Sequence, residues 1–299
     1  MTDLRRRMLL DMQARNLADE TQRSYIHYLA GYARFFDTPP DQLGPAHVTE
    51  YQAYLLREKR LSATSANCFS ASARFFYTVT LGQDWTSQQF PRAKVPLILP
   101  PILSANEVFE FFRHVPSPRY RTVLMLCYGA GLRISEAVSL RVADIDSARM
   151  VIRVRQGKGA KDRETVLSPL LLELLRQWWR IARPGHDWLF PSSYRGGVSH
   201  LQPGRVRQAC TDAFQQARLG KRVTPHVLRH AFATHLLEAG VDLRKIQVML
   251  GHQSIDTTAH YTAVATKTIS EVPSPLDQLL KRRRRSVLPK PKAPAPTQV

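Results

Sequence analysis

Apolar positions along this chain recur mostly at helical spacing. The clearest stretch is Asp19 to Phe36, where Tyr25, Tyr28, Leu29, Tyr32, Phe35 and Phe36 fall at i, i+3, i+4, i+7, i+10 and i+11. Pro39 and Pro40 stop it, because proline brings no amide to continue the ladder. Two more helices are expected over 45–59 and 63–80, the second opening after Ser62 as its N-cap. Pro91, Pro96, Pro100 and Pro101 then interrupt any helix and hold the chain extended.

Beyond them, Ser104-Ala105-Asn106-Glu107 has the form of a capping box ahead of an apolar helix from Val108 to His114. The next helix, 119–129, is apolar almost all round and belongs to a core. It breaks at Gly129-Ala130-Gly131, and Leu132 to Ala137 begins another. Met150 to Arg155 and Glu164 to Leu167 read as two strands, joined by a loop holding Gly157-Lys158-Gly159. Helices follow at 169–182, 203–218 and 224–240. Thr224 is the N-cap of the last, Pro225 suits its first position, and Gly240 its C′. The pattern predicts a mainly α protein with a small β-sheet. Its expected parts are a helical domain (1–85), a Pro-rich linker (86–102), a mixed α/β domain (103–270) and a basic Pro-rich tail (271–299) too poor in apolar residues to pack.

Charge changes the picture. Of 299 residues, 43 are basic and 24 acidic, a formal +19. The last nineteen positions hold seven of the basic residues and no acid, so the rest keeps an excess of twelve. A basic surface that broad points to a polyanion, nucleic acid being the commonest, although non-specific basicity gives the same count. Arg23, Arg34, Arg57, Lys59, Arg60 and Arg74 decorate the first helical unit, either as a DNA grip or as a solvated face. Cys68, Cys127 and Cys210 are scattered and odd in number, which fits neither a disulfide framework nor a zinc ribbon. The apolar residues after Arg5-Arg6-Arg7 are too few for a signal peptide, and no run of about 18 apolar residues would span a membrane. The expectation is a soluble cytoplasmic protein.

Three constellations carry chemistry. Gly129 to Glu136 is a Gly-broken turn presenting Arg133 at a helix start, with Glu136 three residues on as a structural partner. Lys158 sits where two strands turn, placed to reach a substrate or simply to be solvated; no Walker loop accompanies it. In the third, His226 and Arg229 share a helix face, and Leu250-Gly251-His252 and Tyr261 follow. His226 and His230 have zinc-site spacing, but Val227 stands where a zincin carries Glu and Arg229 would repel a cation. Tyr261 alone would read as a half-buried core residue.

Taken together, in this order and spacing, the motifs resemble the tyrosine recombinases of the phage-integrase type. The match runs over about residues 10–265 and lies close to the Xer and integron-integrase branches. The interval from Phe190 to Thr224 is of Xer-like length, without the integron integrases' insertion. The resemblance implies a SAM-like, core-binding N-terminal domain and a catalytic domain after the linker. It implies that Arg133 and Arg229 clamp a phosphate, supported by Glu136, with Lys158 as the hairpin lysine. His226 and His252 would be the active-site imidazoles and Tyr261 the nucleophile. No cofactor or metal is implied. The partners implied are double-stranded DNA with specific recombination sites and a homotetramer on paired sites, with or without a partner recombinase. The segment after the tyrosine, here Leu276 to Leu280, would dock on a neighbouring subunit. Two other readings stay open at this point: a non-catalytic DNA-binding regulator on the same fold, and a type IB topoisomerase-like relaxase.

Overall fold

The computed structural model describes residues 3–96, 101–155, 162–185, 187–192 and 198–251. Lys158, His252, Tyr261 and the tail from 271 therefore lie outside the described residues. The chain divides into two compact units, Met1–Ile98 and Leu99–Val299.

The first unit is helical. It comprises α1 (Asp3–Ala14), α2 (Asp19–Phe36), α3 (Pro45–Arg57) and α4 (Ala63–Arg74), the last continued by a π-helical turn, Phe75–Thr80. Ser62 caps α4 as expected, its Oγ accepting from the Ser65 amide at 3.2 Å. Met8, Met12, Tyr32, Tyr51, Phe69, Phe76 and Tyr77 meet in its core. Full burial of each such side chain is worth roughly 1.5–3 kcal/mol.

The stretch expected as linker, from residue 86, packs against the first unit over part of its length. Phe90 is buried in the first core. Asn67 exchanges two hydrogen bonds with Ala93, at 2.9 and 2.8 Å, and Ser70 Oγ donates to the Pro91 carbonyl at 2.8 Å. Proline density marks an extended backbone but carries no hint that side chains of α4 bind it.

The second unit opens with α5 (Ala105–Arg113), and its capping box is formed in both directions. Glu107 N donates to Ser104 Oγ at 3.2 Å, and Ser104 N to Glu107 Oε2 at 2.7 Å. Helix α6 (Pro118–Gly129) runs through the core, burying Val123, Leu124, Leu126 and Cys127 against α10 (Pro225–Glu238) and neighbouring helices. Then come α7 (Ile134–Val138) and an antiparallel sheet in the order β1 (Ile145–Asp146), β2 (Val151–Val154), β3 (Arg163–Val166). In β2 and β3, Ile152 faces Thr165 and Val154 faces Arg163. Helices α8 (Pro169–Ala182), α9 (Pro203–Ala217), α10 and α11 (Leu243–Leu250) complete the described residues.

Two elements are absent from the hydrophobic pattern. Strand β1 is two residues long, too short for an alternation to register. Helix α11 is short but well capped: Asp242 accepts from the amides of Arg244 and Lys245, and Gly251 closes the helix at φ +65°. Among the described residues, no helix is long and apolar enough to cross a membrane.

Candidate active site

Arg133 occupies the N-cap position of α7, where the chain leaves α6 through Ala130, Gly131 and Leu132. Gly131 holds φ +65°, and a Cβ there would stand 2.5 Å from Phe232 Cε1, so only glycine fits both the backbone and its neighbour. The short α7 then folds Glu136 back onto the turn. Its carboxylate accepts from the Arg133 amide (2.7 Å, Oε2) and from Arg133 Nη1 (2.8 Å, Oε1). The structural pairing and the exposed arginine are the same feature: Arg133 holds Glu136, and about a quarter of its side chain stays in solvent.

Glu136 is buried, and two more guanidiniums reach it. Arg163, at the start of β3, places Nη1 2.9 Å from Oε1 and Nη2 2.7 Å from Oε2, a bidentate pair. Arg229 Nη1 lies 3.5 Å from Oε2. Burial alone would raise the Glu136 pKa. The bonds and charge of Arg163, then the bonds from Arg133, outweigh it and hold the carboxyl at about 2.

Arg229 is carried by α10, whose first turn is set by Thr224 Oγ1 accepting from the Val227 amide at 3.1 Å. Its side chain is almost wholly buried, with Nη1 donating to the Gly131 carbonyl and Nη2 to the Leu250 carbonyl, both at 2.6 Å. A single guanidinium thus links the α6–α7 turn to the end of α11.

His226, one turn before Arg229, is exposed, and its Nε2 lies 3.0 Å from His230 Nε2. Packing of protein around the ring lowers its pKa, and the charges of Arg229 and Arg133 lower it further. It is therefore neutral at pH 7, able to accept a proton. Among the described residues, no three His, Cys, Asp or Glu side chains gather as metal ligands would. At the base of the hairpin, Arg155 Nε donates to the buried Asp144 at 2.6 Å, and Asp144 also takes the Arg141 amide at 2.9 Å.

The structure thus brings Arg133, Glu136, His226 and Arg229 together, from positions 133 to 229. The phage integrase family profile matches residues 102–268, and that of its N-terminal SAM-like domain matches residues 4–87. The chain belongs to the phage integrase family. It is 50% identical to a putative integrase/recombinase of Sinorhizobium fredii over 280 residues, 93% of this chain and 90% of the relative. It is 35% identical to the tyrosine recombinase XerA of Thermococcus onnurineus, covering 86% of this chain and 89% of that one. The structure of a lambda integrase dimer bound to a COC′ core site aligns with a TM-score of 0.71 at 18% identity, over 92% of this chain and 98% of the other. At that identity the likeness is one of fold, a mainly helical tyrosine-recombinase fold with a small sheet.

One member of this cluster is hidden in the sequence. Arg163 is 27 residues from Glu136 and reads in the sequence as one more charge of the loop, just before the strand expected from Glu164. A signal does exist: Val151 and Val166 pair at the open end of the hairpin, and the first residue of β3 is an Arg opposite the buried Val154, while Thr165 is buried two residues on.

Proposed function

We propose that this chain is a site-specific DNA recombinase that cuts and rejoins strands through a 3′-phosphotyrosyl intermediate and a Holliday junction. Its substrate is double-stranded DNA carrying specific recombination sites, on which four copies assemble across two paired sites, with or without a partner recombinase. The helical domain (1–85) grips the DNA, and the domain at 103–270 performs the chemistry for a mobile element or in replicon resolution, in the nucleoid-associated cytoplasm.

The observation that carries this reading is the charge of the cluster. Three guanidiniums around one carboxylate leave a formal +2, and Arg133 Nε and Nη2 have no hydrogen-bond partner among the described residues. Such a place suits the non-bridging oxygens of a phosphodiester, whose charge grows in the transition state.

In the mechanism, the Tyr261 oxygen attacks phosphorus while its proton passes to neutral His226. The bond from phosphorus to the 5′ oxygen breaks, and Lys158 protonates that oxygen as it leaves. His252 donates a hydrogen bond to a non-bridging oxygen. A phosphodiester is exchanged for a phosphotyrosine, so the reverse attack by a 5′ hydroxyl rejoins strands without ATP, Mg²⁺ or another metal.

The test is covalent capture on a suicide DNA substrate, nicked so that the cleaved end diffuses away. Wild-type chain is expected to become covalently attached, and Tyr261→Phe to bind the same DNA with no attachment. Capture by Tyr261→Phe would refute the nucleophile. Binding by wild type without capture would favour a non-catalytic regulator, and supercoil relaxation without recombinant product a topoisomerase-like activity.

A further inference from the structure

Glu136 has two oxygens and four side-chain or backbone N–H donors at 2.9 Å or closer. Arg163 takes one donor place on each oxygen. Arg133 is left with one side-chain bond, from Nη1 to Oε1, while its Nε and Nη2 make none among the described residues. Without Arg163, each oxygen of Glu136 loses a donor, which opens room for Arg133 to turn its fork onto both, the preferred geometry of an arginine–carboxylate pair. Among the described residues, only the Arg133 amide and, at 3.5 Å, Arg229 Nη1 would still reach Oε2.

We propose that Arg163 is a positioning residue: by occupying both oxygens of Glu136, it keeps Nε and Nη2 of Arg133 available to the scissile phosphate. This inference rests on the strand-exchange reading above. Its burial, one further hydrogen bond and the space around its stem show how firmly Arg163 is seated. Its side chain is 8% exposed, and its Nε donates to the Met249 carbonyl at 2.8 Å. A Cβ on Gly251 would come within 2.8 Å of Arg163 Cδ, so the αL glycine that ends α11 also makes room for the arginine stem. Arg163 therefore joins β3, the α7 cap and the end of α11 at one carboxylate. It never needs to touch DNA.

A purely structural ion pair would predict something different. Losing Arg163 would loosen the fold, and further loss of Glu136 character would only add damage. If Arg163 instead competes with Arg133 for Glu136, weakening Glu136 should repair part of the defect, a coupling that a double-mutant cycle isolates.

The experiment compares wild type, Arg163→Lys, Glu136→Gln and the double variant in full-length chain. Capture rate at saturating suicide substrate and the half-saturating DNA concentration are measured on preparations matched for helical signal. Lysine keeps the charge but cannot bond both oxygens and the Met249 carbonyl as a fork. Arg163→Lys is expected to slow capture about tenfold or more, with half-saturation changed less than about threefold. Adding Glu136→Gln should recover at least about threefold of that rate. Capture by Arg163→Lys within about threefold of wild type would overturn the proposal. So would an equal or larger defect in the double variant, or a defect confined to half-saturation. Should Arg163→Lys fail to match the helical signal, Arg163→Gln, alone and with Glu136→Gln, replaces it under the same criteria. A wild-type chain giving no Tyr261-dependent capture would instead refute the parent reading.

Discussion

The two units bury polarity in opposite ways. In the first, the buried polar groups at the centre are neutral hydroxyls: Tyr32 Oη lies 3.3 Å from Tyr77 Oη, and Tyr77 donates to the Pro40 carbonyl at 2.6 Å. Aromatic rings surround them, Tyr32 against Tyr51 and Phe69 at centroid distances of 5.4 and 5.3 Å. In the second, a core of aliphatic and aromatic side chains borders an ionic one, Glu136 with Arg163 and Arg229. Sinking a charge costs several kcal/mol unless it is paired, and a pair of apolar residues often does as well for stability. A neutral tyrosine pair asks for no such compensation. Packing alone therefore explains the first unit's interior, whereas the second carries charge that packing does not need.

Removing the shared carboxylate should disturb that contrast most. Glu136→Ala leaves three guanidiniums without their counter-charge, two of them buried, and should destabilise the second unit by roughly 3–5 kcal/mol. Hydrogen exchange followed peptide by peptide separates the units: protection should fall in α6 and α10 and hold in α2 and α4. Equal losses in all four helices would mean that the cluster supports the whole chain and not one unit.

Much of this was legible in the sequence where the information is local. The α2 boundaries, the Ser62 cap and the Ser104–Glu107 box each depend on residues within one turn, and each forms as expected. Arg133 and Glu136 were legible for the same reason, three apart on one helix start. Arg163 was not, because its meaning comes from a sheet register that places it beside a helix cap 27 residues earlier. The burial of Arg229 was equally hidden: the helix face it shares with His226 could be read, but not that two carbonyls from distant turns would converge on it. Long-range partners are a property of the fold, and the motif spacing carries only their addresses.

Acid should draw the two interiors further apart, since among the described residues only the second holds a carboxylate cluster of this kind. Glu136 is held at about 2 against an ordinary 4.5, so its stabilisation is complete above pH 4.5 and lost as pH falls toward 2. The integrated loss is roughly 3 kcal/mol. His226, with its pKa lowered, adds to the loss below its ordinary 6.5, because the unfolded chain takes up the proton more readily. The first unit's tyrosines behave inversely. Burial pushes Tyr32 up to about 12 and raises Tyr77 as well, so their ionisation favours the unfolded chain only above the ordinary 10. Acid should therefore open α6 and α10 before α2 and α4, whereas alkali weakens both units, because burial also raises the Cys127 and Cys210 thiols of the second. If both units lost protection together at about pH 3, between the folded and ordinary values of Glu136, the ionic core would not be the weak point.

The smallest effect is the most discriminating about the first unit. Tyr32→Phe removes a hydroxyl bonded to the Tyr77 hydroxyl at a long 3.3 Å, while Tyr77 keeps its shorter bond to the Pro40 carbonyl. No buried group is left wanting by the change, and the ring's contacts with Phe36, Tyr51 and Phe69 persist. The cost should be at most about 1 kcal/mol, the net worth of a neutral hydrogen bond. The alkaline loss of α2 and α4 should also shrink, because one buried phenol no longer ionises on unfolding. A thermal and alkaline unfolding series read at those two helices measures both. A cost above about 2 kcal/mol would show that the first unit depends on its tyrosine pair as heavily as the second depends on its carboxylate cluster, and the distinction between a packed interior and a charged one would fall.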